Sequence, residues 1–580
     1  MSISDITFRI GGEAGQGVET SGAGFALALV RAGLQVLGTP SYYERIRGGH
    51  NFFTIRARAQ DDPVFSLVDS VDVLLALNAE TIEVHRQAVR PGGVIIADSA
   101  LNAESMLGGS DVRLLTLPLK EIAVEHGNAL MVNTAALAMA AACVGLPLQY
   151  MLSVIDTNFG ARSEAIAASN REVAEYTYNK AQEQFGLALG DALECPPNAP
   201  ERVLLGGNVA FGMGALMSGL KFVAGYPMTP ASSLLEYLSR HADDWGLVVK
   251  HAEDEISAVN MCVGASHVGV RAMTMTSGGG YDLMVEGVSL AGMIEAPLVV
   301  FLAQRPGPGT GLATRTAQAD LLMAIYASHG EFPRAVIAPH TPEEQFYAAA
   351  RAFNLADRYQ CLVLVLSDQE SASSFASRDK ALFDPNKIEI DRGEWLSAED
   401  LDGMEQYHRY AITESGVSPR VLPGSHPRAV WLSTSNEHTP EGHLTEEPEI
   451  VTAMSAKRWR KMQGLASEMR PPIVEGPEQA DTTLVSWGSS YGPVREAMNA
   501  RNAQGKPTNM VHFVDLWPFP AEAARRALGA ARRLVAVEGN VSAQLVTLIR
   551  SQIGLSIEET VLRHDGRGLS AQYILRNLEG

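Results

Sequence analysis

Residues 222–233 read FVAGYPMTPASS, a short apolar run, then a turn fixed by Pro227 and Pro230, then Ser232 and Ser233 opening a helix. The same phrase recurs in VLLGG (203–207), LVVKHAE (247–253), RAMTMTS (271–277), PLVVFLAQ (297–304), RAVIAP (334–339) and CLVLVLSD (361–368). Each is an apolar run, and most are followed by Gly, Pro, Ser or Thr and then helical spacing. Short buried strands alternating with helices predict an α/β domain over 203–383, in which ligands sit at the carboxyl ends of the strands. The residues just after each run therefore carry the functional information.

Two more α/β units flank it. From 1 to 188 the runs TFRI, VDVLLAL, GGVIIAD and VRLLTL alternate with helical stretches and predict parallel βαβ units. Residues 189–202, with three prolines and no periodicity, read as a linker. Residues 384–475 are rich in charge and turns and read as a connecting arm, and 476–580 form the third α/β domain, with LVSW, NMVHFVDL and RLVAVEG as buried strands. Three domains suit 580 residues, too many for one core.

Composition narrows the class. Hydrophobic residues are 46% and charged residues 19%, which excludes disordered and coiled-coil chains. A net charge of -20 argues against bulk attraction to nucleic acid or an anionic membrane, so an anionic ligand must meet a local basic site. The four cysteines form no C-x-x-C, the amino terminus carries no basic and apolar leader, and the apolar stretch 135–148 is too short to span a bilayer. These features predict a cytoplasmic location.

Four strand ends hold chemistry. The doubly prolyl turn presents Thr229, a small hydroxyl donor and acceptor, although an ordinary turn with a helix cap would read the same way. Glu253, Asp254 and Glu255 meet the apolar helix ISAVNMCVGAS, where a carboxylate facing a cavity becomes a partner for a heterocyclic nitrogen. Acids at a helix start also complement its macrodipole, which explains two of the three. The glycines of TSGGG (276–280) let backbone approach a flat ligand. Arg305, ahead of a Pro/Gly loop with Thr310, Thr314 and Arg315, suits a carboxylate. A turn cap, a dipole partner and a loop ion pair would each explain one position; their coincidence in one sheet favours a site.

In order, GYPMTP, EDEISAVNMCVGAS, TSGGG, QRPGPGTGLATRT, APHTPEE and VLSDQ resemble the α subunit of the 2-oxoacid:ferredoxin oxidoreductases. GGEAGQGVETSG (11–22) and SYYERIRGGHN (41–51) resemble that family's γ domain, and WGSSYGPVREA, LWPFP and VEGNVSAQL its transketolase carboxyl-terminal-type domain. The fused arrangement is most similar to the large subunit of 2-oxoglutarate:ferredoxin oxidoreductases. The resemblance implies oxidative decarboxylation of a 2-oxoacid with CoA, to acyl-CoA and carbon dioxide, with reduction of ferredoxin. Pyruvate or another 2-oxoacid remains open as the substrate, and a noncatalytic assembly role is the reading of another class.

The resemblance also implies roles. Glu255 is the glutamate that bonds the aminopyrimidine of thiamine diphosphate, with Tyr226, Pro227, Ser277 and Gly278 around that cofactor. Thr229, Arg305 and Thr314 contact the substrate. Met228 stands where the family often has isoleucine, and GPGTG where GPSTG is usual. No GDG segment is present for the diphosphate and Mg2+, and no cysteine set for a cluster, so a β subunit would bring both that site and a [4Fe-4S] cluster. The resemblance implies a dimer of αβ heterodimers. Gly15 and Gly17 of the GGEAGQG loop, with Arg45, Arg47 and His50, would meet the phosphates of CoA or close the active site; the same motifs could instead pack the domain against its neighbours.

Overall fold

The computed structural model describes residues 2–42, 49–108, 111–161 and 163–579. The chain forms two compact units, the first comprising Met1–Gly206 with Ser373–Leu382 and Ser570–Tyr573, the second the remainder. Among the described residues no helix is long and apolar enough to cross a membrane.

The first unit is built on an eight-stranded sheet. Arg113–Leu117, Val89–Asp98, Val71–Ala76 and Asp5–Glu13 lie side by side and parallel, as the alternating pattern predicts. The sheet then continues antiparallel through His50–Arg58, Gln35–Ser41, Phe375–Asp379 and Arg202–Leu205. The parallel expectation fails here because residues 42–49 are too few for a crossover helix, so the two strands they join pair antiparallel. The helix Val18–Arg31 packs directly on this half. A β-carbon at Gly22 would fall 2.3 Å from the Phe53 ring, so only glycine permits the approach. The alanine-rich helix Val132–Val144 is buried along most of its length, which small side chains allow.

Two expected boundaries differ. The run VLLGG supplies Arg202–Leu205, the edge strand of the first sheet, held antiparallel by Phe375–Asp379, rather than the first strand of the second domain. The stretch 189–202 is packed onto the first unit, with Leu193 buried and its N–H bonded to the Val144 carbonyl at 2.8 Å.

The second unit holds two sheets. One runs Asp515–Trp517, Arg334–Ile337, Leu362–Asp368, Leu298–Gln304, Ala272–Thr276, Phe222–Gly225, Val248–His251, all parallel except the first. The other runs Ile473–Glu475, Thr508–Phe513, Thr482–Trp487, Leu534–Glu538, Glu559–Leu562. The two read as separate domains in sequence, yet Asp515–Trp517 adds to the edge of the first sheet, and one apolar cluster runs from Val300 and Leu364 to Phe513 and Leu548.

The arm 384–475 is more than a connector. Its helix Pro448–Glu468 buries Lys457 and Lys461 against Glu295; Lys457 Nζ lies 2.5 Å from Glu295 Oε1, and Lys461 pairs with Oε2. Arg409 Nη2 donates to the Glu295 carbonyl at 2.9 Å. Nearby, buried Asp357 takes Arg271, Arg392 and Arg420. Buried charges are tolerated only when paired, so these pairs pin the arm where apolar pattern is weak.

Candidate functional site

Four neighbouring strands of the seven-stranded sheet, Leu298–Gln304, Ala272–Thr276, Phe222–Gly225 and Val248–His251, all run parallel. Their carboxyl ends lead into Arg305, Ser277, the Tyr226–Pro230 turn and Glu255 respectively, so residues spread over 80 positions of sequence share one edge.

The three adjacent acids divide their work. Glu253 is exposed. Asp254 caps the helix Glu255–His267, its carboxylate accepting the Ser257 N–H at 2.7 Å, and that bond holds it below the usual carboxylate range. Glu255 is 3% exposed, and its Oε1 has no hydrogen-bond partner. A buried carboxylate oxygen without a donor is costly, and such orphans mark a missing ligand or water. An aminopyrimidine nitrogen carrying hydrogen would supply that donor, so the residue fits the end of thiamine diphosphate that the family resemblance implies for it.

The glycines of TSGGG make room for neighbouring side chains. A β-carbon at Gly280 would fall 2.0 Å from Thr276 Oγ1 and 2.5 Å from Glu255 Oε1, and one at Gly278 would fall 2.7 Å from Asp320 Oδ2. The bare backbone here admits two carboxyl side chains, at the first turn of the helix Gly278–Met293. Ser277 occupies the cap position, yet its hydroxyl is buried and makes no cap bond. Asp320 was missed in sequence because the reading of this loop stopped at Arg315; an acid inside the apolar ADLLMA was the available signal.

Arg305 and Thr229 are brought together: Arg305 Nη1 donates to the Thr229 carbonyl at 2.9 Å. The hydroxyl-bearing residue itself is exposed, as are Tyr226 and Pro227, and the Tyr226 ring lies 6.3 Å from that of His251. Burial lowers the Arg305 pKa while the charge of Glu255 works in the opposite direction, which places cation and carboxylate within electrostatic reach. The loop beyond Arg305 folds on itself, Leu312 N–H bonding the Pro306 carbonyl at 3.1 Å. Gly311 has φ 54°, and a β-carbon there would overlap the Pro306 carbonyl at 1.8 Å, so this glycine is required. Thr314 lies half-buried in the loop. Gln318 then locks its far end, its Nε2 donating to the Trp487 carbonyl at 2.8 Å and its Oε1 accepting from Gly539 N–H at 2.8 Å.

In the first unit, Gly15 and Gly17 have φ 92° and 70° and line a cavity of about 430 Å³ with Glu13, Glu19, Tyr42, Asn51 and Phe52. Among the described residues that lining carries two acids and no base, the wrong sign for a phosphate. Arg45 and Arg47 lie outside the described residues. His50 is 3% exposed and turned inward, its Nε2 2.8 Å from His85 Nε2. It therefore packs the sheet rather than facing a ligand, because its strand places it over the Phe52 and His85 rings.

Residues 213–416 match the family model described as pyruvate flavodoxin/ferredoxin oxidoreductase, thiamine diP-bdg. Residues 7–180 match pyruvate ferredoxin/flavodoxin oxidoreductase, and 480–574 match pyruvate:ferredoxin oxidoreductase core domain II. The chain is 31% identical to 2-oxoacid:ferredoxin oxidoreductase 2, subunit alpha, of Aeropyrum pernix, over 97% of this chain and 96% of that one. It is 29% identical to the 2-oxoglutarate oxidoreductase subunit KorA of Mycobacterium tuberculosis, over 96% and 88%. Among solved structures it is similar to the 2-oxoglutarate:ferredoxin oxidoreductase from Magnetococcus marinus with 2-oxoglutarate, coenzyme A and succinyl-CoA bound. That match has TM-score 0.89 and 29% identity, and covers 100% of this chain and 99% of that one.

Proposed function

Because the chain belongs to the 2-oxoacid:ferredoxin oxidoreductase family as a subunit of the α type, we propose that its substrate is 2-oxoglutarate, converted with CoA to succinyl-CoA and carbon dioxide as ferredoxin is reduced. The observation that carries the site is the buried, donorless Oε1 of Glu255 on the same sheet edge as the Arg305–Thr229 pair. The M. marinus enzyme, with 2-oxoglutarate and succinyl-CoA bound, supports the choice of substrate.

Thiamine diphosphate, when bound, supplies the electron sink that a 2-oxoacid needs in order to lose carbon dioxide. The chain's own residues do the rest. Glu255 would accept at Oε1 a hydrogen bond from a nitrogen of the aminopyrimidine and so polarise that ring, and Ser277 and the backbone at Gly278 would line the same end. The Arg305 guanidinium pairs with the 1-carboxylate as a planar fork, and the Thr229 and Thr314 hydroxyls bond substrate oxygens. Arg305 keeps the Thr229 turn in place by holding its carbonyl, so binding and positioning are coupled in one side chain.

A β subunit completes the assembly, bringing the diphosphate and Mg2+ site and a [4Fe-4S] cluster; the absence of GDG and C-x-x-C from the sequence supports this. Exposed Tyr226, Ile256, Leu283 and Leu312 flank the site and suit a covering partner surface. The complex works in the cytoplasm as a dimer of αβ heterodimers. For CoA, Arg45 and Arg47 would supply the positive charge for its phosphates that the acidic lining beside Gly15 and Gly17 lacks.

Co-purification with the β subunit and a viologen-reduction assay tests this. CoA-dependent reduction with 2-oxoglutarate is expected. Reduction with pyruvate alone would overturn the substrate, and none with any 2-oxoacid, from a complex holding cluster and thiamine diphosphate, would overturn the catalytic reading.

A further inference from the structure

Among the buried side-chain oxygens without a hydrogen-bond partner around the first turn of the Gly278–Met293 helix are Glu255 Oε1, Ser277 Oγ and Asp320 Oδ2. Buried polar atoms in a finished site are paired, so each of these awaits a donor, an acceptor or a proton. The first two have roles in the site described above, whereas Asp320 has been given none. It ends the segment that Arg305 begins and sits at the cap position of the helix Leu321–Tyr326, yet its carboxyl makes no cap bond there.

The carboxyl is turned toward Gly278 instead, within the space a β-carbon would need. Successive helical residues are rotated by about 100°, so positions 278 and 280 face nearly opposite directions. Asp320 and Glu255 thus hold the start of one helix from two sides, with the Gly309 carbonyl 3.7 Å from a β-carbon placed on Gly279 between them. Facing Asp320 are Asp282, on the next turn of the same helix, and the neutral amides of Gln304 and Gln544. Gln304 Oε1 accepts the Asp320 N–H at 3.0 Å, and Gln544 Nε2 donates to the Ala319 carbonyl at 2.6 Å. None of these is a cation. Burial first, and then the charge of Asp282, push the Asp320 carboxyl up to about 7.

We propose that Asp320 is a positioning residue of the thiamine site, a carboxyl that holds its proton on Oδ2 and so keeps a buried negative charge away from the helix end that it shares with Glu255. The inference rests on the proposed function. When Asp320 ionises, an unpaired anion appears against Gly278, beside the segment that carries Arg305 and Thr314. An anionic cofactor then binds a site bearing one more negative charge.

The experiment uses the full complex with its β subunit, stripped of thiamine diphosphate and titrated with thiamine diphosphate and Mg2+ at pH 6 and pH 8, following tryptophan fluorescence. The parent should bind about tenfold more weakly at pH 8, since a group titrating near 7 is then about nine-tenths ionised. In Asp320→Asn that difference should shrink to about twofold or less, and an infrared band of a neutral carboxyl, present in the parent at pH 6, should be missing. Asp282→Asn, which leaves Asp320 in place, should move the midpoint to lower pH and covers the case in which Asp320→Asn fails to fold. Equal pH dependence in the parent and Asp320→Asn, or no dependence in the parent, overturns the role of Asp320 alone. A complex that binds thiamine diphosphate at neither pH overturns the functional reading and this inference with it.

Discussion

Arg305 Nη1 lies 2.9 Å from the carbonyl oxygen of Thr229, across 76 positions of sequence. The contact joins two loops that leave different strands of one sheet, and it leaves the remaining guanidinium donors for a ligand. Arg305→Lys keeps the charge but loses the fork. In the complex, KM for the 2-oxoacid should rise about tenfold, and Arg305→Ala should raise it about a hundredfold, matching roughly 1.5–3 kcal/mol for a charge-assisted bond. Steady-state kinetics with unchanged circular dichroism would check this; a KM within twofold of the parent for Arg305→Ala would remove Arg305 from the substrate site.

Glu255→Gln preserves size and removes the anion. If the carboxylate polarises the aminopyrimidine, kcat should fall by about 10²–10⁴ while KM moves only a few-fold. Thiamine diphosphate binding, measured separately by calorimetry, distinguishes lost polarisation from lost binding. Full turnover in Glu255→Ala would leave the chain an assembly role only.

Gly280 and Gly264 make a matched pair on neighbouring helices. A β-carbon at 280 overlaps Thr276 and Glu255, whereas one at 264 meets nothing within 4 Å. Gly280→Ala should destabilise the second unit by about 1–3 kcal/mol and displace Glu255, while Gly264→Ala should gain about 0.5–1 kcal/mol of helix propensity. Thermal unfolding of the two variants should therefore shift in opposite directions, and a loss in Gly264→Ala would contradict the open space assigned to it.

The second unit's site was legible because its chemistry sits at strand ends, where apolar run, glycine or proline, and polar residue follow in a fixed order. Thr229, Glu255 and Arg305 were found that way, and their shared edge follows from parallel pairing alone. Asp320 was not found because it lies at the end of a loop, where no periodicity points, and only the bare backbone of Gly278 reveals what it faces. Gln35–Ser41 and His50–Arg58 were missed as strands because the polar motif between them drew a functional reading, and that reading misplaced His50. The edge strand Phe375–Asp379 depends on pairing with segments far earlier in the chain, which local pattern does not encode.

The arm's anchor should be energetically large. Glu295 is 1% exposed and is the counter-charge to both Lys457 and Lys461. Glu295→Gln keeps the volume and leaves two buried ammonium groups without an anion, which should cost about 3–5 kcal/mol. Denaturant unfolding followed by tryptophan fluorescence reads this directly, since Trp395, Trp431 and Trp459 lie in the arm. The triple change Glu295→Leu, Lys457→Met, Lys461→Met should recover most of the loss, because replacing all partners removes the desolvation penalty as well as the attraction.

His50 and His85 give the first unit a pH dependence whose sign is set by burial. Their Nε2 atoms lie 2.8 Å apart, so one ring must donate and the other accept, and both cannot be protonated without breaking the bond. Burial, then the charge of Arg9, lowers His85 from 6.5 to about 3, and burial lowers His50 as well. Between those values the unfolded chain binds a proton that the folded chain refuses, so stability falls as pH drops from about 6.5 toward 3 and is unaffected above neutrality. At pH 5 the loss from His85 is about 2 kcal/mol, from 1.36 kcal/mol per unit below 6.5. Every tryptophan lies outside this unit, so amide hydrogen exchange of the strand His50–Arg58, corrected for intrinsic rate, is the suitable probe. Protection should decrease from pH 7 to pH 5 in the parent and change much less in His85→Gln, which cannot take up a proton in the unfolded chain. Equal loss of protection in both would show that another group controls the acid response of this sheet.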